Sequence, residues 1–174
     1  MLKPALLYED KLKEKLLETW YDDKYKFYNA DCYNSLGELS KEDWQNVQLV
    51  SINSNDEVVA HINYSINRQT NNIESFGIMN FTNDNLMTFG KDLHQVVDDM
   101  FCKFNFNKLS FYVVIGNPIQ KYYRKFVKKY GGRVVGYKEK DIKLIDNLLY
   151  DVELYEILAD NYITNKVKLK THNS

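Results

Sequence analysis

The sequence predicts an α/β (α+β) fold of one domain, in which a mostly antiparallel sheet with a central parallel strand pair carries helices on both faces. Apolar and polar side chains alternate through residues 58–66, as in a half-buried strand. Large apolar side chains recur at helical spacing from Phe89 to Phe104, between strand-like runs at 73–81 and 108–115. A strand, a helix and a strand in this order predict a parallel pair with a right-handed crossover.

The N-terminal third is predicted to hold two helical segments, followed by a strand that pairs with residues 58–66. Apolar spacing indicates a helix at 10–21 and a second helical segment at 25–33. A strand at 47–52 follows, and the turn-forming residues 53–56 connect it to the next strand as a hairpin loop.

The C-terminal part is predicted to end in two further antiparallel strands and a loose tail. The strands are expected at 133–140 and 147–158. Residues 164–174 are polar and rich in lysine, so they are expected to form a flexible tail after a domain of residues 1–163.

The segment from Asn117 to Gly132 gives the sharpest local prediction, a helix that starts where a strand ends. Asn117 suits the N-cap and Pro118 the first helical position, where a missing N–H costs nothing. Gly131 suits the left-handed residue that ends a helix. One apolar face is formed by Ile119, Tyr122, Tyr123, Phe126, Val127 and Tyr130.

Composition excludes several classes of protein. A chain of 174 residues with net charge -1 has no general attraction for nucleic acid, and no apolar run approaches the roughly 20 residues of a membrane helix. The N-terminus lacks the features of a signal peptide, so a cytoplasmic location is expected. GxxxxGK(S/T), GxGxxG, HExxH and CxxC motifs are all absent, and the three histidines are too scattered to predict a metal site.

Three motifs mark the second half of the chain: Asn-Pro-x-x-x-x-Tyr from Asn117, Tyr-Gly-Gly-Arg-Val-Val-Gly from Tyr130, and Leu-Tyr-Asp-Val-x-Leu-Tyr from Leu149. Together with the segment order, they resemble the GNAT superfamily of N-acetyltransferases over residues 5–160. The resemblance implies a sheet that opens between strands 73–81 and 108–115, with the pantetheine arm of acetyl-CoA in the opening.

The phosphate-binding loop departs from the family pattern Gln/Arg-x-x-Gly-x-Gly/Ala. Residues 85–93 contain a single glycine, Gly90, near the expected helix start at Thr88. Backbone N–H groups at a helix N-terminus can still bind phosphate, Lys91 can add a positive charge, and Asp92 would oppose phosphate if it faced inward. The cofactor-binding residues implied by the resemblance are Phe81, Phe89, Gly90, Lys91, Asp92, Asn117 and Tyr123.

The resemblance also implies the residues that carry the reaction. A backbone N–H at the end of strand 73–81, from Asn80 or Phe81, would polarise the thioester carbonyl. Tyr123 would protonate the departing thiolate, with Tyr122 as the alternative if the helix is displaced by one residue. Asn117 would bond to the pantetheine arm, although a capping function and core packing of the tyrosines also explain these residues.

The base for the acceptor amine and the acceptor itself are not identified by the sequence. Glu74, His61 and Asp151 are candidate bases, and none is assigned. Residues 21–39 are rich in Tyr and Asp, which would suit a small cationic amine. An exposed C-terminal strand could pair with a second copy to give a homodimer.

The predicted function is therefore transfer of the acetyl group of acetyl-CoA to an amine by direct attack. One alternative is a catalytically inactive GNAT-fold protein that binds CoA or a partner, which the irregular phosphate loop favours. Another is an unrelated interaction module that uses a basic helix face, whose residues are Lys121, Arg124, Lys125, Lys128 and Lys129.

Overall fold

The computed structural model describes residues 1–28, 36–37, 39–41, 43–81 and 86–171. Seven strands form one sheet in the order β1-β2-β3-β4-β5-β7-β6 within this part of the chain. The strands are β1 Leu2–Pro4, β2 Asn46–Ile52, β3 Val58–Asn67, β4 Asn72–Asn80, β5 Lys108–Val114, β6 Arg133–Lys143 and β7 Leu149–Leu158. The helices are α1 Glu9–Glu18, α2 Leu86–Cys102, α3 Gln120–Lys129 and α4 Ala159–Thr171, with 3₁₀ helices at Ala5–Tyr8 and Asp23–Tyr28.

The sheet is antiparallel except where β4 and β5 pair in parallel. That pairing joins Asn72 to Lys108 and Ile73 to Leu109. The predicted fold class and its central parallel pair are confirmed. Strand β6 lies at one edge of the sheet and is exposed along most of its length, so its pairing with a second subunit stays a prediction.

Helices cover both faces of the sheet, and neighbouring residues of β2 pack into two separate cores. Val50 packs with Leu12 and Leu16 of α1. Leu49, which points to the opposite face, packs against the larger core formed by α2, α3 and α4. The face covered by α1 is called the α1 face below, and the other the α2 face.

The helix predicted from Pro118 begins two residues later than expected. The prediction of Asn117 as N-cap and Pro118 as the first helical residue is therefore wrong, because the N-cap is Ile119 and no side chain caps the helix. The Asn117 side-chain oxygen instead accepts the Ile119 N–H at 3.1 Å in a turn that precedes the helix. The Gln120 N–H then donates to the Asn117 carbonyl oxygen at 3.0 Å, which makes a turn before the first residue of α3. Gly131 ends the helix with φ of 70°, as predicted.

The prediction of a loose tail from residue 164 is wrong for residues 164–171, because these residues belong to α4. Tyr162 is fully buried and stacks on Phe101 at 4.7 Å and on Tyr130 at 4.6 Å between ring centroids. Lys166 also pairs with Asp98 of α2. A few anchoring residues thus hold a helix whose composition is mostly polar.

Some predictions fall on residues that the structure does not describe. The second helical segment is a 3₁₀ helix at Asp23–Tyr28, and its predicted continuation from residue 29 to residue 33 lies outside the described residues. Residue 85, the first of the predicted phosphate-binding region, lies outside as well. Within the described residues, no helix is long and apolar enough to cross a membrane.

Candidate active site

Strands β4 and β5 separate after their first two paired residues, and a gap opens in the middle of the sheet. β4 stays paired with β3 as far as Asn80, and β5 stays paired with β7 as far as Val114. The β3–β4 register shifts between Asn63 and Ser65, and Ser75 opposite this irregularity has φ of 51°. A bulge of this kind bends a strand and increases its twist, so it turns β4 away from β5.

Backbone groups of β4 point across this gap. The Phe81 N–H donates to the Val59 carbonyl oxygen at 3.0 Å, which makes Asn80 a non-hydrogen-bonded position of the β3–β4 ladder. Ile78 is two residues earlier in the same ladder and has the same orientation. The N–H and C=O groups of Ile78 and Asn80 therefore point toward β5.

This geometry corrects part of the predicted carbonyl-binding group. The Phe81 N–H already has the Val59 oxygen as its acceptor, and the Phe81 side chain packs against the core beneath α1. Of the two predicted donors, the Asn80 N–H has the required direction. Ile78 has it too and lines the gap, but no feature of the sequence singles it out.

Backbone groups of β5 face those of β4. The Ile115 N–H donates to the Asp151 oxygen at 2.9 Å, so Val114 and Tyr112 are non-hydrogen-bonded positions of the β5–β7 ladder. Their backbone groups point toward β4, and the Val114 oxygen accepts the Asn117 N–H at 3.1 Å. An extended ligand with amide groups can therefore lie between two strand edges, as an added strand would.

The gap contains a cavity of about 250 Å³. Its walls include both strands, Asn117 and Tyr123 from the start of α3, and Phe27 and Tyr28 from the 3₁₀ helix Asp23–Tyr28. Gly77 lines it as well, where an added Cβ would lie 2.8 Å from the Asn63 side-chain oxygen. The absence of a side chain at Gly77 thus permits the Asn63 side chain to lie against this strand.

Tyr123 lies in the cavity wall and Tyr122 on the surface. The ring of Tyr123 packs edge-on against Phe111 at 5.3 Å, whereas the side chain of Tyr122 is 56% exposed. Burial, with smaller contributions from Tyr28 and Tyr155, raises the pKa of the Tyr123 hydroxyl above its usual range. This hydroxyl therefore keeps its proton throughout the neutral pH range.

Helix α2 begins at Leu86, before the predicted cap Thr88, and this changes which groups are available to phosphate. The first four N–H groups of a helix have no partner within it. Because residues 86–89 are already helical, Gly90 and Lys91 lie beyond the first turn. Their backbone N–H groups are therefore used inside the helix, and the expected loop at Gly90 is wrong.

Asp92 faces away from the start of α2. Its carboxylate lies 2.8 Å from the terminal nitrogen of Met1 and accepts the Ser51 hydroxyl at 2.6 Å. These contacts hold it against β2 and away from the place where phosphate would bind. The side chain of Lys91 is exposed and can still contribute its charge.

The three candidate bases lie in different environments. Glu74 is exposed near the closed end of the gap. Asp151 is exposed and accepts the Lys140 N–H at 2.8 Å. His61 is 8% exposed and lines a second cavity that adjoins the gap.

A buried carboxylate that the sequence does not single out anchors α3 to the sheet. Glu153 of β7 is fully buried and accepts bonds from Arg124 at 2.8 Å, Gln120 at 2.7 Å and Tyr137 at 3.0 Å, and from the Tyr155 hydroxyl. Burial acts to raise its pKa, but these donors outweigh it and hold the pKa at about 2. Arg124 is therefore an anchor of α3 and does not belong to a purely solvated basic face.

No family model and no curated protein sequence matches this chain. Solved structures do match. A spermidine N-acetyltransferase from Vibrio cholerae, in complex with CoA and spermine, has a TM-score of 0.70 and 15% identity, over 94% of this chain and 97% of that one. A chimera of that enzyme has a TM-score of 0.66 and 17% identity, over 94% and 99%.

A third match, a putative acetyltransferase, has a TM-score of 0.70 and 16% identity, over 98% of this chain and 92% of that one. The overlaps extend over nearly the whole of each chain, while the identities are low enough that the similarity concerns the fold. The separated parallel strands and the element order agree with it. This chain has the fold of the GNAT superfamily of N-acetyltransferases.

Proposed function

We propose that this protein is an N-acetyltransferase that moves the acetyl group of acetyl-CoA to an amine by direct attack. The observation that carries the proposal is the gap between β4 and β5, with strand edges facing each other and Tyr123 in its wall. An arrangement of this kind can hold an extended thioester and place a proton donor beside its sulfur.

The pantetheine arm would bind as an added strand between Ile78 and Asn80 on one side and Tyr112 and Val114 on the other. Its amides would exchange hydrogen bonds with these backbone groups. The phosphates would lie at the start of α2, where the first N–H groups and the positive end of the helix dipole favour an anion. Lys91 would add a charge there.

The reaction would need three groups besides the cosubstrate. The N–H of Ile78 or Asn80 would stabilise the negative charge that develops on the carbonyl oxygen. The amine nitrogen forms a bond to the carbonyl carbon, and the carbon–sulfur bond breaks. Tyr123, which keeps its proton at neutral pH, would give that proton to the departing thiolate.

The first test is calorimetric titration of the protein with acetyl-CoA, followed by a screen of amines for consumption of the thioester. Spermidine and spermine belong in the screen because a structural neighbour was solved with spermine. Saturable binding at micromolar concentration supports the proposal. Absence of binding would reject it.

Tyr123→Phe tests the proton donor. Loss of the hydroxyl should lower kcat by about 10²-fold or more, in line with general acid catalysis, while acetyl-CoA affinity stays within about threefold. Tyr122→Phe is the matched control, because that ring is on the surface and should leave both values unchanged. Equal effects of the two substitutions would show that Tyr123 is not the donor.

A second candidate is a protein that binds CoA without transferring the acetyl group. It is favoured by the start of α2, where the single glycine Gly90 lies inside the helix and not in a phosphate loop. Binding of acetyl-CoA with no turnover on any amine, and an unchanged acetyl-CoA affinity in Tyr123→Phe, would select this alternative.

A further inference from the structure

A second cavity of about 250 Å³ adjoins the gap on the α1 face of the sheet. Tyr28, Asn63, Gly77 and Ile78 line both cavities. The two spaces therefore meet at the backbone of β4, on the opposite side of the sheet from α2. A molecule in the second cavity can reach a thioester carbonyl held at Ile78.

His61 is on the wall of this second cavity. It is directly opposite Met79 in the β3–β4 ladder, at the roughly 5.5 Å between Cα atoms of a hydrogen-bonded pair. Directly opposite residues share a face, and Met79 belongs to the core beneath α1, so the imidazole projects to the α1 face. Met79, the residue opposite His61, directly follows Ile78, and the two cavities meet at the backbone of Ile78.

The hydrogen bonds of His61 define which ring nitrogen carries the proton. Nε2 lies 2.7 Å from the side-chain oxygen of Gln48, which lines the same cavity. An oxygen can only accept, so Nε2 carries the hydrogen and Nδ1 has the lone pair. Nδ1 is therefore the nitrogen that can take a proton.

The surroundings keep the imidazole neutral. Burial lowers the pKa of His61 to about 4. Among the described residues, no carboxylate, lysine or arginine lines this cavity, and its other titratable group is Tyr28, whose pKa is raised by burial and by Tyr25. The imidazole is therefore uncharged at neutral pH and has a free lone pair, but a pKa this low makes it a weak base, so its protonation requires the negative charge that develops on a thioester oxygen held at Ile78. Because no charged side chain lines this part of the cavity, an amine would enter it in the uncharged form.

We propose that His61 is the catalytic base that takes the proton of an acceptor amine which enters the second cavity in its uncharged form. The inference rests on the proposed function. As nitrogen bonds to the carbonyl carbon, one N–H proton passes to Nδ1, the carbon–sulfur bond breaks, and Tyr123 protonates the thiolate. His61 then releases its proton to water. Tyr123 takes up a proton from water, and both groups are restored.

Hydroxylamine is the probe for this proposal because it is small and uncharged at neutral pH. Its acetylation by acetyl-CoA is followed with and without protein, and the rate without protein is subtracted. His61→Ala should lower the protein-dependent rate by about 10²-fold or more, with unchanged acetyl-CoA affinity by calorimetry. Added imidazole should restore the rate of this variant in a saturable manner.

Two further variants make the test specific. His61→Gln keeps much of the side-chain volume, so it should fold, lose activity to the same extent and gain nothing from imidazole. His94→Gln changes an exposed histidine of α2 that contacts Tyr130, and it should behave as the wild-type protein does. A structural function of His61 would produce no rescue by imidazole.

The outcomes separate this proposal from the proposed function. Wild-type protein that fails to bind acetyl-CoA rejects the proposed function before any variant is made. Wild-type protein that binds acetyl-CoA but does not acetylate hydroxylamine rejects the base, since so small a nucleophile would reach it. Unchanged rates in His61→Ala, or a loss that imidazole does not relieve, reject His61 alone.

Discussion

At the scale of single residues, Gly132 shows how a position without a side chain fixes the approach of α3 to the sheet. An added Cβ would lie 2.5 Å from the Glu156 carbonyl oxygen and 2.9 Å from a Val127 methyl carbon. Because the carbonyl belongs to the backbone, it cannot move aside. Gly132→Ala should therefore destabilise the protein by about 1–3 kcal/mol, measured by urea unfolding.

Gly136→Ala is the matched control for this prediction. Gly136 is in the same strand as Arg133, and an added Cβ would meet no atom within 4 Å. The substitution should change the free energy of unfolding by less than about 0.5 kcal/mol. Similar losses from both substitutions would contradict a specific clash at Gly132.

The residues of the candidate site were predictable only where a side-chain pattern marked them. Asn117 and Tyr123 were named through the Asn-Pro-x-x-x-x-Tyr motif and the family resemblance that it supports, and the structure places both in the wall of the gap. Ile78 was not predictable, because the direction of its N–H depends on whether it is a hydrogen-bonded or a non-hydrogen-bonded position of the β3–β4 ladder after the bulge at Ser75. The type of the residue does not determine which of the two positions it occupies.

At the scale of elements, a polar latch holds the 3₁₀ helix Asp23–Tyr28 beside the gap. Lys26 Nζ is 2.6 Å from the Asp146 carboxylate and donates to the Tyr150 hydroxyl at 2.6 Å. Hydrogen bonds from Lys26 and then Tyr150 lower the pKa of Asp146 to about 2, so the latch is charged at neutral pH. It fixes the element from which Phe27 and Tyr28 line the cavity.

Asp146→Asn should loosen this latch. Acetyl-CoA affinity should fall by about threefold to tenfold, and amide hydrogen exchange should accelerate at residues 23–28. Asp141→Asn is the control, because it removes the exposed Lys138–Asp141 pair on β6, away from the cavity. Unchanged affinity and exchange in Asp146→Asn would show that the 3₁₀ helix is held by other contacts.

Most elements were predictable from apolar periodicity, and the exceptions have physical causes. Helix α2 starts before Thr88, since a capping residue type does not itself fix a helix start. Helix α4 was missed because its stability comes from the stacking of Tyr162 on Phe101 and Tyr130, which are distant in sequence. A lysine-rich segment with few apolar residues looks like a tail until those partners are known.

At the scale of the whole molecule, Glu153 connects folding stability to pH. Its carboxylate accepts bonds from two residues of α3, one of β6 and one of β7, so it joins a helix to two strands. Its pKa in the folded protein is about 2, below the ordinary value of 4.5. A depressed pKa means that the stabilisation is present above pH 4.5 and is lost as the pH falls toward 2.

Glu153→Gln should therefore remove part of the acid sensitivity of folding. At pH 7 the variant should be less stable by on the order of 1–3 kcal/mol, because a charged acceptor of four donors is replaced by an amide. Between pH 5 and about 2 the wild-type protein should lose more stability than the variant, so their urea midpoints should converge.

Glu139→Gln is the control, since it removes an exposed carboxylate of β6 and should leave the acid profile unchanged. Parallel curves for wild type and Glu153→Gln would show that Glu153 is protonated at its ordinary pKa. Convergence would show that one buried carboxylate holds α3, and with it Tyr123, against the sheet.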